Sequence, residues 1–345
     1  MIINTSDSYK QRVLQSVAFS FKGNNDNPIP DVLRIETTNV CNDSCIFCGN
    51  RKMSRSLGFI REEIVAKAIT QGYNMGIKKI SFHTTGEPLL HPQLSRFISF
   101  AKETGFEYTF FNTNGACTSS ETFAEVTLSG IDSIAFSINA INRQDYKLIH
   151  GNDDFDRVMK TLEWLYKFRS SNRLSFNLYV SFIKTRYTDY DDDAIKKVFT
   201  GKCDEIKIQN VQNIGGFCPD MDSLTVEYSD TFFHYEIPCR IPFKSIVVTY
   251  EGYLTACSVD YQNYLVYADL NTCDMADAWN NNIIANLRKR HLTRDVTGLL
   301  CDNCANLSES TPSALIPAYA TEFNISNISN SEETNSRIER WRKSV

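Results

Sequence analysis

The chain has 345 residues, enough for one large domain or a large one plus a small one. Apolar residues make up 42% and charged residues 22%, with a formal net charge of −5, an ordinary globular balance that argues against a nucleic-acid or anionic-membrane surface. No apolar run approaches the ~18–20 residues that span a bilayer, and the first residues lack a basic segment followed by a long apolar core, so a cytoplasmic protein without a secretory signal is expected.

Residues 1–30 are polar, close on Asn-Pro-Ile-Pro, and read as a leader segment. From there strand-like and helix-like stretches alternate. Strands are predicted at 32–38, 77–83, 107–112, 131–138, 174–183 and 205–211. Helices are predicted at 61–72, 92–103, 121–129, 155–169 and 193–199. The acidic run Asp189 to Asp193 reads as the solvated cap of the last of these. Such alternation implies β-α units on a parallel sheet, and six units make a partial (β/α)6 TIM-like barrel. The pattern changes after Gly216. Residues 219–236 are irregular, 243–250 and 253–257 read as a β-hairpin turning at Gly252, and 275–290 read as a helix. The final residues are rich in Ser, Asn and Glu, with a short helix expected near 337–342. The expected division is a leader (1–30), a barrel (31–218), a hairpin-plus-helix module (219–306) and a polar tail (307–345).

Eleven cysteines is a high count, and a reducing compartment disfavours disulfides, so metal ligation or catalysis is the better reading. Cys41, Cys45 and Cys48 fall in the loop after the first strand, spaced C-x3-C-x2-C. A cubane iron–sulfur cluster has four irons, each wanting a thiolate. Three protein thiolates leave one iron open, and an open metal position is where ligand binding and chemistry begin. The other strand ends carry small and polar groups: Gly86-Glu87-Pro88, Asn114-Gly115, Ser137 with Asn139, and Gly215-Gly216. Chemistry in parallel α/β sheets collects at that rim.

With these residues in place, the chain resembles the radical S-adenosylmethionine (SAM) enzymes over about residues 32–216. Their signature is C-x3-C-x-aromatic-C, with Phe47 as the aromatic. Gly86-Glu87-Pro88 looks like their G-G-E-P motif, which holds the methionyl amino group of SAM, with Thr85 in place of the first glycine. Ser137 is placed like the serine that contacts the SAM ribose. Ile149-His150-Gly151 resembles an I-R-G segment whose arginine meets the SAM carboxylate, so His150 is the residue expected there. The resemblance implies that Cys41, Cys45 and Cys48 bind a [4Fe-4S] cluster, and that Phe47, Gly86, Glu87, Ser137 and His150 belong to the SAM site.

A second set comprises Cys239, Cys257, Cys301 and Cys304. Spacing alone allows a fully ligated second cluster or a single all-thiolate zinc ion. The resemblance favours the cluster: C-x12-G-x4-C with a later C-x2-C looks like the SPASM and twitch auxiliary modules, here in the shortened form with one auxiliary [4Fe-4S] cluster. The resemblance implies reductive SAM cleavage to a 5′-deoxyadenosyl radical, hydrogen abstraction from substrate, and a reductase partner such as flavodoxin or ferredoxin. The leading expectation is dehydrogenation of a sugar, aminocyclitol or similar small molecule, as in the 2-deoxy-scyllo-inosamine dehydrogenases. No leader-peptide-binding domain is evident in the thirty or so residues before the first strand. The alternative is peptide maturation or epimerisation, with Cys218 as the hydrogen donor.

Overall fold

In the computed structural model, the apolar runs become strands and the amphipathic stretches between them become covering helices. The structure describes residues 2–4, 30–117, 119–212, 214–216, 218, 221–225, 239, 241–293 and 295–305. The strands are β1 (Ile2–Asn4), β2 (Val32–Ile35), β3 (Lys79–Ser81), β4 (Tyr108–Thr113), β5 (Ser133–Ser137), β6 (Asn177–Lys184), β7 (Glu205–Asn210), β8 (Ser245–Val248), β9 (Tyr253–Thr255) and β10 (Val266–Asp269). The helices are α1 (Glu62–Asn74), α2 (Leu94–Thr104), α3 (Ser120–Leu128), α4 (Arg143–His150), α5 (Phe155–Ser171), α6 (Asp192–Phe199), α7 (Met221–Leu224), α8 (Ile241–Lys244), α9 (Met275–Trp279), α10 (Asn282–Leu292) and α11 (Leu300–Ala305).

Strands β2 to β7 pair in parallel in chain order, the expected six β-α units. Leu33, Ile35, Ile80, Phe111, Ile134, Leu178 and Ile206 from these strands are fully buried. On α2, Leu94, Phe97, Ile98 and Ala101 are buried; that i, i+3, i+4, i+7 stripe closes over the sheet. The sheet stays open, as expected for a partial barrel: beyond β7 lies β1, and beyond β2 lies β8. Among the described residues no helix is long and apolar enough to cross a membrane.

Several elements differ from their sequence reading. The leader segment contributes β1, whose Ile2 and Ile3 register with Glu205 and Ile206 of β7. The hairpin is continuous with the barrel: β8 runs parallel to β2, with Val32 opposite Ser245 and Ile35 opposite Val248, and β9 and β10 follow antiparallel. The hairpin does turn at Gly252, whose φ of +95° suits glycine. Helix 275–290 is two helices, because the Asn281 side chain accepts hydrogen bonds from the Ile283 and Ile284 amides and starts a new one. Helix α4 is an additional helix after β5; it buries Tyr146, Ile149 and His150 along one face, and the Asn142 side chain caps it by accepting from the Asp145 amide. Asp191 caps α6 as read, accepting from the Ala194 amide. The segment at 219–236, apart from α7 and Thr225, and the tail from 306 lie outside the described residues.

A buried ion pair locks the hairpin to β2. The Arg55 guanidinium donates to both carboxylate oxygens of Glu36 at 2.8 and 2.7 Å and to Asn263 Oδ1 at 2.7 Å. Glu36 also accepts from the Tyr250 amide at 3.0 Å and from the Thr85 hydroxyl. The side chains of Arg55 and Glu36 are 4% and 2% exposed, so each depends on the other for its solvation.

Candidate active site

The three-cysteine loop leaves β2 and docks on the C-terminal end of α4. A helix end leaves its last carbonyls without intrahelical partners. Here the Ser44 amide donates to the His150 carbonyl at 3.0 Å and the Ile46 amide to that of Ile149 at 2.9 Å. Gly151 ends the helix at φ +77°, and a Cβ on it would lie 2.2 Å from Ser44 Oγ. The His150 ring is fully buried and stacks on Tyr146 at 4.1 Å. Its Nδ1 lies 2.9 Å from Asp43 Oδ2 and 3.5 Å from Cys45 Sγ; its Nε2 lies 3.2 Å from Asn139 Nδ2. Protein groups therefore engage both ring nitrogens, and the segment resembling I-R-G serves here as the dock for the cysteine loop.

The Gly86-Glu87-Pro88 loop packs on the same strand end. A Cβ on Gly86 would lie 2.4 Å from the Thr38 carbonyl oxygen and 2.6 Å from that of Val40, so only glycine lets the two backbones approach. The Glu87 amide donates to the Val40 carbonyl at 2.8 Å. The Glu87 carboxylate accepts from the Leu89 amide at 3.0 Å, the Thr113 hydroxyl at 2.7 Å and the Asn114 amide at 2.7 Å. Burial pushes its pKa up to about 7 against these three donors, which pull it down. Thr85, the departure from G-G-E-P, turns its hydroxyl onto Glu36. Asn50 stitches the arrangement by donating to the Asn39 and Thr85 carbonyls, each at 2.9 Å.

Cys41, Cys45 and Cys48 are half-buried and close enough to perturb one another. Burial pushes all three thiols above their ordinary pKa, and the Asp43 carboxylate adds to it. The backbones of Asp43 and Asn50 reach Cys41 and Cys48, and each thiol also has a polar side-chain neighbour: Asn114 Nδ2 at 4.0 Å from Cys41, His150 Nδ1 at 3.5 Å from Cys45, and the Tyr261 hydroxyl at 3.6 Å from Cys48. Soft thiolates gathered beside carboxylates, unfavourable as free anions, fit a cationic iron–sulfur cluster. Among the described residues, Asp43, Cys45 and His150 alone form a tight metal-ligand-type group, but His150 is committed to Asp43 and Asn139.

Phe47 packs beside Ile46 in a small apolar cluster built on Val211, Cys218 and Leu224. Cys218 is thus 5% exposed among hydrophobic neighbours next to the cysteine loop. Ser137 is the half-buried last residue of β5. Cys117 sits in the loop after β4, its thiol pushed up by burial and by Glu87 and Cys41. No local spacing marks it. In the second cysteine set, Cys257 follows β9 and its sulfur accepts from the Val259 amide at 3.5 Å. Cys301 lies on α11, which packs on the Ile214–Gly216 turn: a Cβ on Gly215 would sit 2.4 Å from Leu300 Cδ1. Cys239 is exposed, and the side chain of Cys304 lies outside the described residues.

Three clustered thiols beside a Gly-Glu-Pro loop, at the carboxyl rim of a parallel sheet, define an iron–sulfur enzyme class with an open coordination position. The Radical SAM superfamily model matches residues 35–189, and the SPASM model, an iron–sulfur cluster-binding domain, matches residues 239–305. The chain thus carries a radical SAM domain and an iron–sulfur cluster-binding SPASM domain, whose cofactors are S-adenosylmethionine and [4Fe-4S] clusters. It is 32% identical over 136 residues to the GTP 3′,8-cyclase of Chlorobaculum tepidum, which is 39% of this chain and 41% of that relative. A probable GTP 3′,8-cyclase of Saccharolobus islandicus is also 32% identical over 136 residues, 39% of this chain and 43% of the relative. The match therefore spans about two fifths of these relatives. Among solved structures, BtrN in complex with AdoMet and 2-DOIA superposes with a TM-score of 0.55 at 18% identity, covering 85% of this chain and 99% of BtrN. SuiB of Streptococcus suis bound to precursor peptide SuiA gives 0.60 at 15%, covering 81% and 72%. AnSMEcpe with bound AdoMet gives 0.59 at 14%, covering 91% and 99%. At such identities the shared property is the fold.

Proposed function

We propose that this radical SAM enzyme dehydrogenates an alcohol-bearing carbon of a sugar, aminocyclitol or similar polar small molecule, reduced by a flavodoxin- or ferredoxin-like partner. When bound, SAM at the three-thiolate cluster would supply a 5′-deoxyadenosyl radical to take the carbon-bound hydrogen; the hydroxyl proton would leave to solvent, and one auxiliary cluster would accept the remaining electron. The observation that carries the reading is the second set of four cysteines, Cys239, Cys257, Cys301 and Cys304, on a module whose strand β8 pairs with β2 beside the first set.

The chain's own residues then divide the work. Cys41, Cys45 and Cys48 hold the open-site cluster. Gly86, Glu87 and Ser137 hold SAM, with Phe47 packing beneath the loop. A carboxylate has about four lone-pair sites; three donors occupy Glu87, which leaves capacity for an ammonium N–H. An ammonium there would also draw the Glu87 pKa back down. His150 holds the cysteine loop through Asp43 and the α4 carbonyls. A second reading, epimerisation with Cys218 as hydrogen donor, is favoured by the place of Cys218 in the cluster with Ile46 and Phe47.

One experiment separates the two: anaerobic turnover of the wild-type and Cys218→Ala proteins, with product mass and 5′-deoxyadenosine measured. The dehydrogenase reading expects a product poorer by two hydrogens in both. A product of unchanged mass, lost in Cys218→Ala, supports the second reading and contradicts the first.

A further inference from the structure

The 260–263 turn of the SPASM domain is clamped onto the residues just after Cys48. Asp260, buried, folds the turn by accepting from the Thr255 hydroxyl at 2.8 Å and the Tyr264 and Leu265 amides at 2.9 and 2.8 Å. Gln262 Oε1 accepts from the Ser54 amide at 3.0 Å and the Ser54 hydroxyl at 2.8 Å, and its Nε2 donates to the Lys52 carbonyl at 3.2 Å. Asn263, at φ +62°, meets Arg55 at 2.7 Å. Between these anchors Tyr261 is 5% exposed, and its hydroxyl stands 3.6 Å from Cys48 Sγ.

A cysteine that ligates iron is a thiolate and carries no hydrogen, so in this contact the phenol is the donor. Hydrogen bonds to cluster sulfurs help set an iron–sulfur centre's reduction potential. A donor stabilises the more negative, reduced state more than the oxidised one. The polar side chains beside the other two thiolates, Asn114 and His150, come from the barrel; Cys48 is reached by the Asn50 backbone of its own loop, and its polar side-chain neighbour comes from the other domain.

We propose that Tyr261, carried by the SPASM domain, donates its hydroxyl hydrogen to the Cys48 thiolate and raises the reduction potential of the cluster held by the three-cysteine loop. This rests on Cys41, Cys45 and Cys48 holding that cluster. Tyr261 is a positioning residue that makes reduction of the SAM cluster depend on a docked SPASM domain.

The test is a redox titration of the reconstituted full-length protein, followed by electron paramagnetic resonance, on wild type and Tyr261→Phe. The signal that changes when SAM is added belongs to the open-site cluster; the SAM-insensitive signal serves as internal reference. Tyr261→Phe is expected to keep its iron and to shift only the SAM-sensitive signal to more negative potential, a roughly three- to tenfold loss in the reduction equilibrium. Installing 3-fluorotyrosine at 261 alone, a stronger donor of nearly the same shape, is expected to shift it the other way. Unchanged potentials in both variants overturn the proposal, as does an equal shift of both signals. If wild type shows no SAM-sensitive signal that depends on Cys41, Cys45 and Cys48, the cluster reading itself fails and the proposal falls with it.

Discussion

Arg55→Met is expected to lower the unfolding free energy by about 3–5 kcal/mol, measured by urea denaturation of the apo-protein. The substitution keeps most of the side-chain volume but leaves the Glu36 carboxylate 2% exposed without its bidentate partner. Glu36 would retain only the Tyr250 amide and the Thr85 hydroxyl, too little to hold a buried charge. Adding Glu36→Gln should recover most of the loss, because it removes the buried charge, its amide oxygen can accept from the Tyr250 amide, and its NH2 can donate to the Thr85 hydroxyl once that hydroxyl rotates. The loss should reach the active site as well, since Thr85 abuts Gly86 and Arg55 anchors the turn that carries Tyr261. A cost below about 1 kcal/mol would mean that water reaches this pair, as at surface ion pairs.

Gly86→Ala is expected to cut SAM cleavage by at least about 100-fold, read as 5′-deoxyadenosine formed from the reconstituted protein. The new methyl would meet two backbone carbonyls, on Thr38 and Val40, and neither can swing aside like a side chain. The loop must retreat and take Glu87 away from Thr113 and Asn114. Iron content should hold, because Cys41, Cys45 and Cys48 belong to a different loop docked on α4. Turnover within threefold of wild type would show that the close approach has slack and that this glycine does not set the SAM site.

The local parts of the architecture were legible in the sequence. Six strand runs and the cysteine spacing are short-range patterns, and the structure places each strand within its predicted stretch apart from end residues. What stayed hidden depends on partners far along the chain. β1 and β8 are ordinary short apolar runs; only pairing with β7 and β2 makes them edges of the main sheet. His150 is separated from Asp43 by 107 residues and Tyr261 from Cys48 by 213, distances no periodicity spans. The same holds for Thr85, which reads as a lapse from G-G-E-P until its hydroxyl is seen on Glu36.

The chain is expected to hold two cubane clusters, one on each cysteine set. Iron, sulfide and zinc per chain, measured after anaerobic reconstitution of wild type and a Cys41→Ala/Cys45→Ala/Cys48→Ala variant, test it directly. About eight irons are expected in wild type, about four in the variant, and no zinc in either. About four irons with one zinc would make the C-terminal set structural and deprive the proposed oxidation of its electron acceptor; no iron in wild type would contradict the account altogether.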